Sequence, residues 1–189
     1  MIKKILAIVF ALFSIKLTAA VGYQLHEAAR NGNLNAIIQL LAAGVDVDAV
    51  DENEFTPLHW AARMGKSEVI KVLIERGATI HAVDRYGETP LHWAARFDCR
   101  DVIEILIENG AQVNARDAYD WTPLHMAAKN GHQEIAKILI YKGADVDIKN
   151  RQGETPCDVA SDALSVVLRE YSEGAKDSDI KEPFCEEID

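Results

Sequence analysis

Four histidines stand at one spacing: His26, His59, His92 and His125 follow one another at intervals of 33 residues. Imidazole is a frequent metal ligand and carries protons near neutral pH, so such a column raises the question of a metal ladder. A metal site needs three or four ligands converging on one point, whereas a long constant spacing distributes one imidazole to each successive stretch of chain. His81 and His132 fall outside the column, in a loop and a turn, and are assigned no role. Cys99, Cys157 and Cys185 are odd in number, widely separated and without a CxxC pair. They read as scattered thiols with at most one incidental bridge, not as a disulfide framework or zinc site. There is no G-x-S-x-G, no H-E-x-x-H and no glycine-rich phosphate loop, the patterns that would place a nucleophile, a zinc or a nucleotide. Carboxylates are plentiful but recur in loops and on helix exteriors, where solvent is their partner. The sequence therefore reads as a non-enzyme with no metal or cofactor.

The histidines belong to a longer phrase. TPLHWAAR is spelled at Thr56–Arg63 and Thr89–Arg96, and TPLHMAAK at Thr122–Lys129. A phrase recurring at a fixed offset marks a repeated structural unit. Units then run over 51–83, 84–116 and 117–149, with an altered opening unit at 21–50 and a closing one at 150–172. Within a unit, Thr56 suits a helix N-cap and Pro57 the first helical position, where no intrahelical N–H is needed. Ala61 and Ala62 leave room for a neighbouring helix, and Gly65 is a left-handed stop. A second helix is expected over Ser67–Arg76, with Val69, Ile70, Val72, Leu73 and Ile74 apolar and Lys71 and Glu75 facing out as an i,i+4 pair. Gly77 ends it, and ATIHAVDRYGE leads to the next unit through an extended turn. A single unit cannot bury its own apolar face. Stacking does so, aligning Leu58, Leu91 and Leu124 in one column and Leu73, Leu106 and Leu139 in another.

This pattern resembles the ankyrin repeat: the period, T-P-L-H-x-A-A and a later G-A-x-V-N/D recur together over about residues 22–172. The resemblance implies an all-α solenoid of stacked helix–turn–helix units with hairpin-like loops and polar capping units at both ends. It also implies that the histidines of the column are structural, hydrogen-bonded to neighbouring loops. Two departures stand out. The usual loop glycine is Glu54 in the first full unit and Asp120 in the third, and the glycine between helices is Asp98 in the second. Asp tolerates the left-handed region at some cost, so the fold is expected to survive.

The termini read differently. Residues 1–20 begin with Lys3 and Lys4, run apolar from Ile5 to Ile15 and close on small residues, a secretory signal pattern of bacterial type. Lys16 stops the run at about half the roughly 20 residues a membrane span needs. An uncleaved anchor or a buried helix is the other reading of the same run. The expected mature chain is periplasmic or secreted, with no membrane attachment after cleavage. Residues 173–189 are acidic, without a helical stripe, and are expected to be disordered; Phe184 is a stray aromatic there. The formal charge is −10, and −13 once Lys3, Lys4 and Lys16 are set aside. So acidic a body does not suit nucleic acid or anionic lipid.

Function should lie where units differ, on loop tips and the adjoining end of the short helix. These positions hold Phe55, Arg63 and Met64, then Arg85, Tyr86, Arg96 and Phe97, then Tyr119, Trp121, Lys129 and Asn130. Aromatics and arginine are the residue types enriched at binding hot spots. The expected function is a non-catalytic protein–protein interaction module, a monomer on its own, binding a protein partner through this face. The alternative is an accessory or stabilising subunit of an exported enzyme. The ankyrin resemblance implies both roles for exported proteins of this kind.

Overall fold

The computed structural model describes residues 23–172. The leader expected over 1–20 and the tail expected over 173–189, with Phe184 and Cys185, lie outside the described residues.

Helices come in pairs. An opening pair, α1 (23–31) and α2 (Leu34–Ala42), is followed by α3 (Pro57–Arg63) with α4 (Ser67–Glu75). Then come α5 (Pro90–Arg96) with α6 (Arg100–Glu108), and α7 (Pro123–Asn130) with α8 (Gln133–Tyr141). The closing pair is α9 (Pro156–Val159) and α10 (Asp162–Ser172). No strand occurs among the described residues.

Each short helix begins in one way because the same residues begin it. Thr56, Thr89, Thr122 and Thr155 sit at the N-cap in extended conformation, and proline follows each. The threonine N–H donates to the side chain three residues on: to Nδ1 of His59 (3.2 Å), His92 (3.1 Å) and His125 (3.2 Å), and to Asp158 Oδ2 (2.8 Å). This is a capping box with histidine or aspartate where Glu or Gln usually stands. Turns out of the short helices need positive φ, met by Gly65 (63°), Gly131 (73°) and, at the expected departure, Asp98 (59°).

Packing follows the columns read from the sequence. Leu58, Leu91 and Leu124 are buried, as are Leu73, Leu106 and Leu139. The short helices stack on one another, α3 on α5, α5 on α7 and α7 on α9, while α4 lies between α2 and α6. The alanine pairs 61–62, 94–95 and 127–128 are fully buried where the short helices meet. Small side chains on that side and Val, Ile and Leu on the other make each layer a wedge, narrow on the short-helix side. A stack of such wedges curves with the short helices and loops on its inner face.

Two details differ from expectation. Lys71 Nζ meets Glu68 at 2.7 Å, not Glu75, because helical side chains lean toward the N-terminus and Lys71 reaches back one turn. The end units are also less polar than expected. Gln24, Asn35 and Arg169 are exposed, but so are Tyr23 and Val166. Cys99 and Cys157 are free thiols.

Candidate functional site

The histidine column is a set of staples between layers. His26 Nε2 meets Phe55 O at 2.9 Å, His59 meets Glu88 O at 3.0 Å, His92 meets Trp121 O at 3.0 Å and His125 meets Glu154 O at 3.1 Å. In His59, His92 and His125, Nδ1 accepts the threonine N–H, so Nε2 must carry the proton that a carbonyl accepts. The ring is then a neutral Nε2–H tautomer with both nitrogens committed. Burial lowers the pKa of His59 and His125 and brings that of His92 to about 4. Among the described residues no group of His, Cys, Asp and Glu converges as a metal site.

Beside the staples runs a second periodic device that the sequence reading missed. The aspartate opening each of the first two full units accepts two loop N–H groups through Oδ1 and an indole N–H through Oδ2. Asp51 Oδ1 takes the N–H of Asn53 and Phe55, and its Oδ2 takes Trp60 Nε1 at 2.9 Å. Asp84 Oδ1 takes Tyr86 and Glu88, and its Oδ2 takes Trp93 Nε1 at 3.0 Å. The signal was there, a nine-residue Asp-to-Trp spacing repeated in two units. The anchored indoles carry cations on their faces. Arg30 lies 5.5 Å from the Trp60 ring, and Arg63 lies 5.3 Å from Trp60, 5.2 Å from Trp93 and 5.1 Å from Phe97. Arg96 lies 4.6 Å from Trp93 and forms an ion pair with buried Glu88. A guanidinium held over rings this way is attracted by their quadrupoles. Arg63 differs from Arg96 in one respect: no carboxylate among the described residues pairs with it, and its buried Nε has no hydrogen-bond partner.

Loop tips are laced by backbone bonds from each unit to the one before. Arg85 N donates to Asn53 O (3.3 Å), Ala118 N to Tyr86 O (2.8 Å) and Arg151 N to Tyr119 O (3.0 Å). The shortest is at Gly87, where an added Cβ would stand 2.8 Å from Ala118 N. Glu54 (φ 63°) and Asp120 (φ 62°) hold the equivalent turns in the left-handed region, with wider contacts to the next loop.

Most of the expected site residues fall along one face. Tyr86 and Tyr119 are half exposed, at 50% and 51%, and Phe97 is 43% exposed. Tyr86, Arg96, Tyr119, Trp121, Lys129 and Asn130 line an open groove of about 460 Å3, floored by Trp93, Glu88, Asp117 and Met126. Lys129 Nζ stands 4.7 Å over the Trp121 ring. Arg85 is exposed, but its guanidinium donates to Glu52 O, so it also ties two loops together. Met64 is half-buried at the C-cap of α3. Phe55 corrects the expectation. It is only 5% exposed, stacked on His59 and edge-on to Trp60 (5.3 Å) and Trp93 (4.9 Å). The ring braces the two indoles from within and is not offered to a partner.

The comparisons agree with this architecture. Residues 25–117 match the family described as Ankyrin repeats (3 copies), and residues 119–151 match Ankyrin repeat. No curated protein matches the chain.

Proposed function

The chain belongs to the ankyrin-repeat family, and we propose that it is a non-catalytic protein-binding module whose docking surface is the loop-and-short-helix face. Arg63 is the observation that carries this reading. It is a cation fixed among three rings, desolvated at Nε and lacking an acidic partner among the described residues. A group so arranged gains most when a partner's carboxylate or carbonyl arrives, because a charge-assisted hydrogen bond is strongest where water is already excluded. Arg30, Arg96 and Phe97 share its rings, and Tyr86 and Tyr119 line the groove beside Trp93, so the partner presents an acidic or mixed patch. The test compares the chain with a variant carrying Arg85, Tyr86, Tyr119 and Trp121 all changed to Ala, and with Arg63→Ala, in a crosslinked pull-down after circular dichroism shows that each folds. We expect capture to be lost in the first and weakened at least about tenfold in the second, the size of a hot-spot deletion. A partner held equally by all three proteins would move the site elsewhere.

Export belongs to the same proposal. Its support is the basic start, apolar run and small-residue close of residues 1–20. Sequencing the N-terminus of chain recovered outside the cytoplasm should give a start at or near Val21, and a start at Met1 would refute cleavage. The arginine–aromatic face serves equally as the contact of a subunit that stabilises an exported enzyme. Finding that the captured partner is such an enzyme, with a half-life that falls without this chain, would select that role.

A further inference from the structure

Repetition exposes an omission. At the head of three of the four units from residue 51 on, an acid or amide uses one side-chain oxygen for the loop and pairs its second polar atom. Asp51 pairs with Trp60, Asp84 with Trp93, and Asn150 Nδ2 with Glu154 Oε2 at 2.9 Å. Asp117 breaks the series. Its Oδ1 takes the N–H of Tyr119 (2.7 Å) and Trp121 (2.8 Å), but its Oδ2 has no donor among the described residues, because the position of the indole is filled by Met126. Methionine is shorter than tryptophan and has no N–H. What it leaves is the groove of about 460 Å3, into whose floor Asp117 is set while itself only 7% exposed. That oxygen opens on the groove and is free to take a donor from outside.

We propose that this groove is a subsite for an arginine side chain of the partner, its guanidinium donating to Asp117 Oδ2 against the rings of Tyr119 and Trp121. The proposal rests on the reading of this face as the docking surface and names what enters it. Glu88 and Asp117 face Arg96 and Lys129 in the groove, so it is the unfilled acceptor of Asp117, not net charge, that favours a donor. Glu88 already holds Arg96, and Lys129 lies over Trp121 without an acidic partner among the described residues. Asp117 is left with no hydrogen-bonded counter-charge among the described residues, and burial raises its pKa and that of Glu88 against the opposing charge of Arg96. The geometry favours guanidinium over ammonium. One layer away the chain builds a comparable arrangement for itself, with Arg96 4.6 Å from the Trp93 ring and paired to Glu88. A planar donor can stack and donate at once, which a lysine cannot.

Two variants probe the site with internal precedent for folding. Met126→Trp installs the indole found at Trp60 and Trp93 and should close Asp117 Oδ2. Asp117→Asn keeps the loop acceptor, as Asn150 does, and replaces the free oxygen with a donor. Random peptides displayed on phage and selected on the full chain supply the probe, with Nα-acetyl-arginine amide titrated in parallel by NMR. Selected peptides should share one enriched arginine, lose at least tenfold in affinity on either variant, and the blocked arginine should shift the Asp117 and Trp121 signals saturably. Met126→Trp should meanwhile raise the urea midpoint. Peptides that need Arg85, Tyr86, Tyr119 and Trp121 but carry no enriched arginine, or bind Met126→Trp equally, overturn the subsite and leave the docking face standing. Peptides indifferent to the fourfold alanine variant overturn the face and the subsite together. Failure to select any peptide, with no saturable shift from the blocked arginine, also counts against the subsite.

Discussion

His92 has given up its proton to the fold. Its ring lies between a threonine cap and the next layer's carbonyl, facing Asp84 and Arg96, and burial outweighs the hydrogen bonds to bring its pKa from 6.5 to about 4. The sign follows from the unfolded chain, which takes up the proton as pH falls through 6.5 while the folded chain refuses it until about 4. Stability is therefore full above that upper value and falls across the interval, by about 3 kcal/mol for His92 alone. His59 and His125 act in the same direction. Glu88 and Asp117, whose pKa values are raised, oppose it by binding protons more readily when folded. Urea midpoints measured from pH 7 to 4.5 should fall, and His92→Gln should flatten the slope while lowering stability at pH 7. An unchanged slope would show that the ring is not held neutral. Glu54 offers the opposite experiment. Its left-handed turn (φ 63°) costs a non-glycine residue about 1–2 kcal/mol, so Glu54→Gly should raise the urea midpoint by a good part of that. Gly87→Ala should lower it, since both φ (76°) and the Ala118 backbone forbid a Cβ.

At the scale of the element, the short helix is almost wholly legible in its eight letters. Threonine caps, proline opens, histidine closes the box, and the alanine pair sets how near the next helix comes. The long helices were equally legible in register, since Leu73, Leu106 and Leu139 fall where the period puts them. Ring packing was not legible. Phe55 looks like a loop-tip aromatic in sequence, yet it is buried because two indoles from adjacent layers close over it. No single unit contains that information. The Asp–Trp pairs were missed for a different reason. Each lies within one unit and its spacing is visible, but that Oδ2 meets Nε1 follows only once the loop has folded back on the short helix. The element-scale prediction concerns Leu91, enclosed between the layers of Leu58 and Leu124. Leu91→Ala should cost about 2–5 kcal/mol in urea unfolding, while Val166→Ala on the exposed side of α10 should change it by less than about 0.5 kcal/mol. Equal effects would mean that α5 does not hold the middle of the stack.

For the whole molecule, stability is a sum of layer terms and neighbour terms. The layers 84–116 and 117–149 each have a neighbour on both sides, and they also hold the His92 and His125 staples, the Glu88–Arg96 pair and the groove. The closing layer has a first helix of only four residues, Pro156–Val159, whose cap Ala160 is already extended (φ −74°, ψ 155°). Opening from the ends therefore gives up one interface, while opening the centre gives up two. Hydrogen exchange should show a gradient, slowest in α5 to α8, faster in α1 and α2, and fastest in α9 and α10. The gradient bears on binding. An arginine entering over Asp117 meets side chains held by the slowest-exchanging layers, so little ordering cost is left to the moment of association. Exchange in α5 to α8 should change little when a selected peptide binds, with protection confined to the loops around Tyr86 and Tyr119. Uniform exchange in the free chain, followed by broad slowing on binding, would mean that the partner orders the stack and that the groove is not preformed.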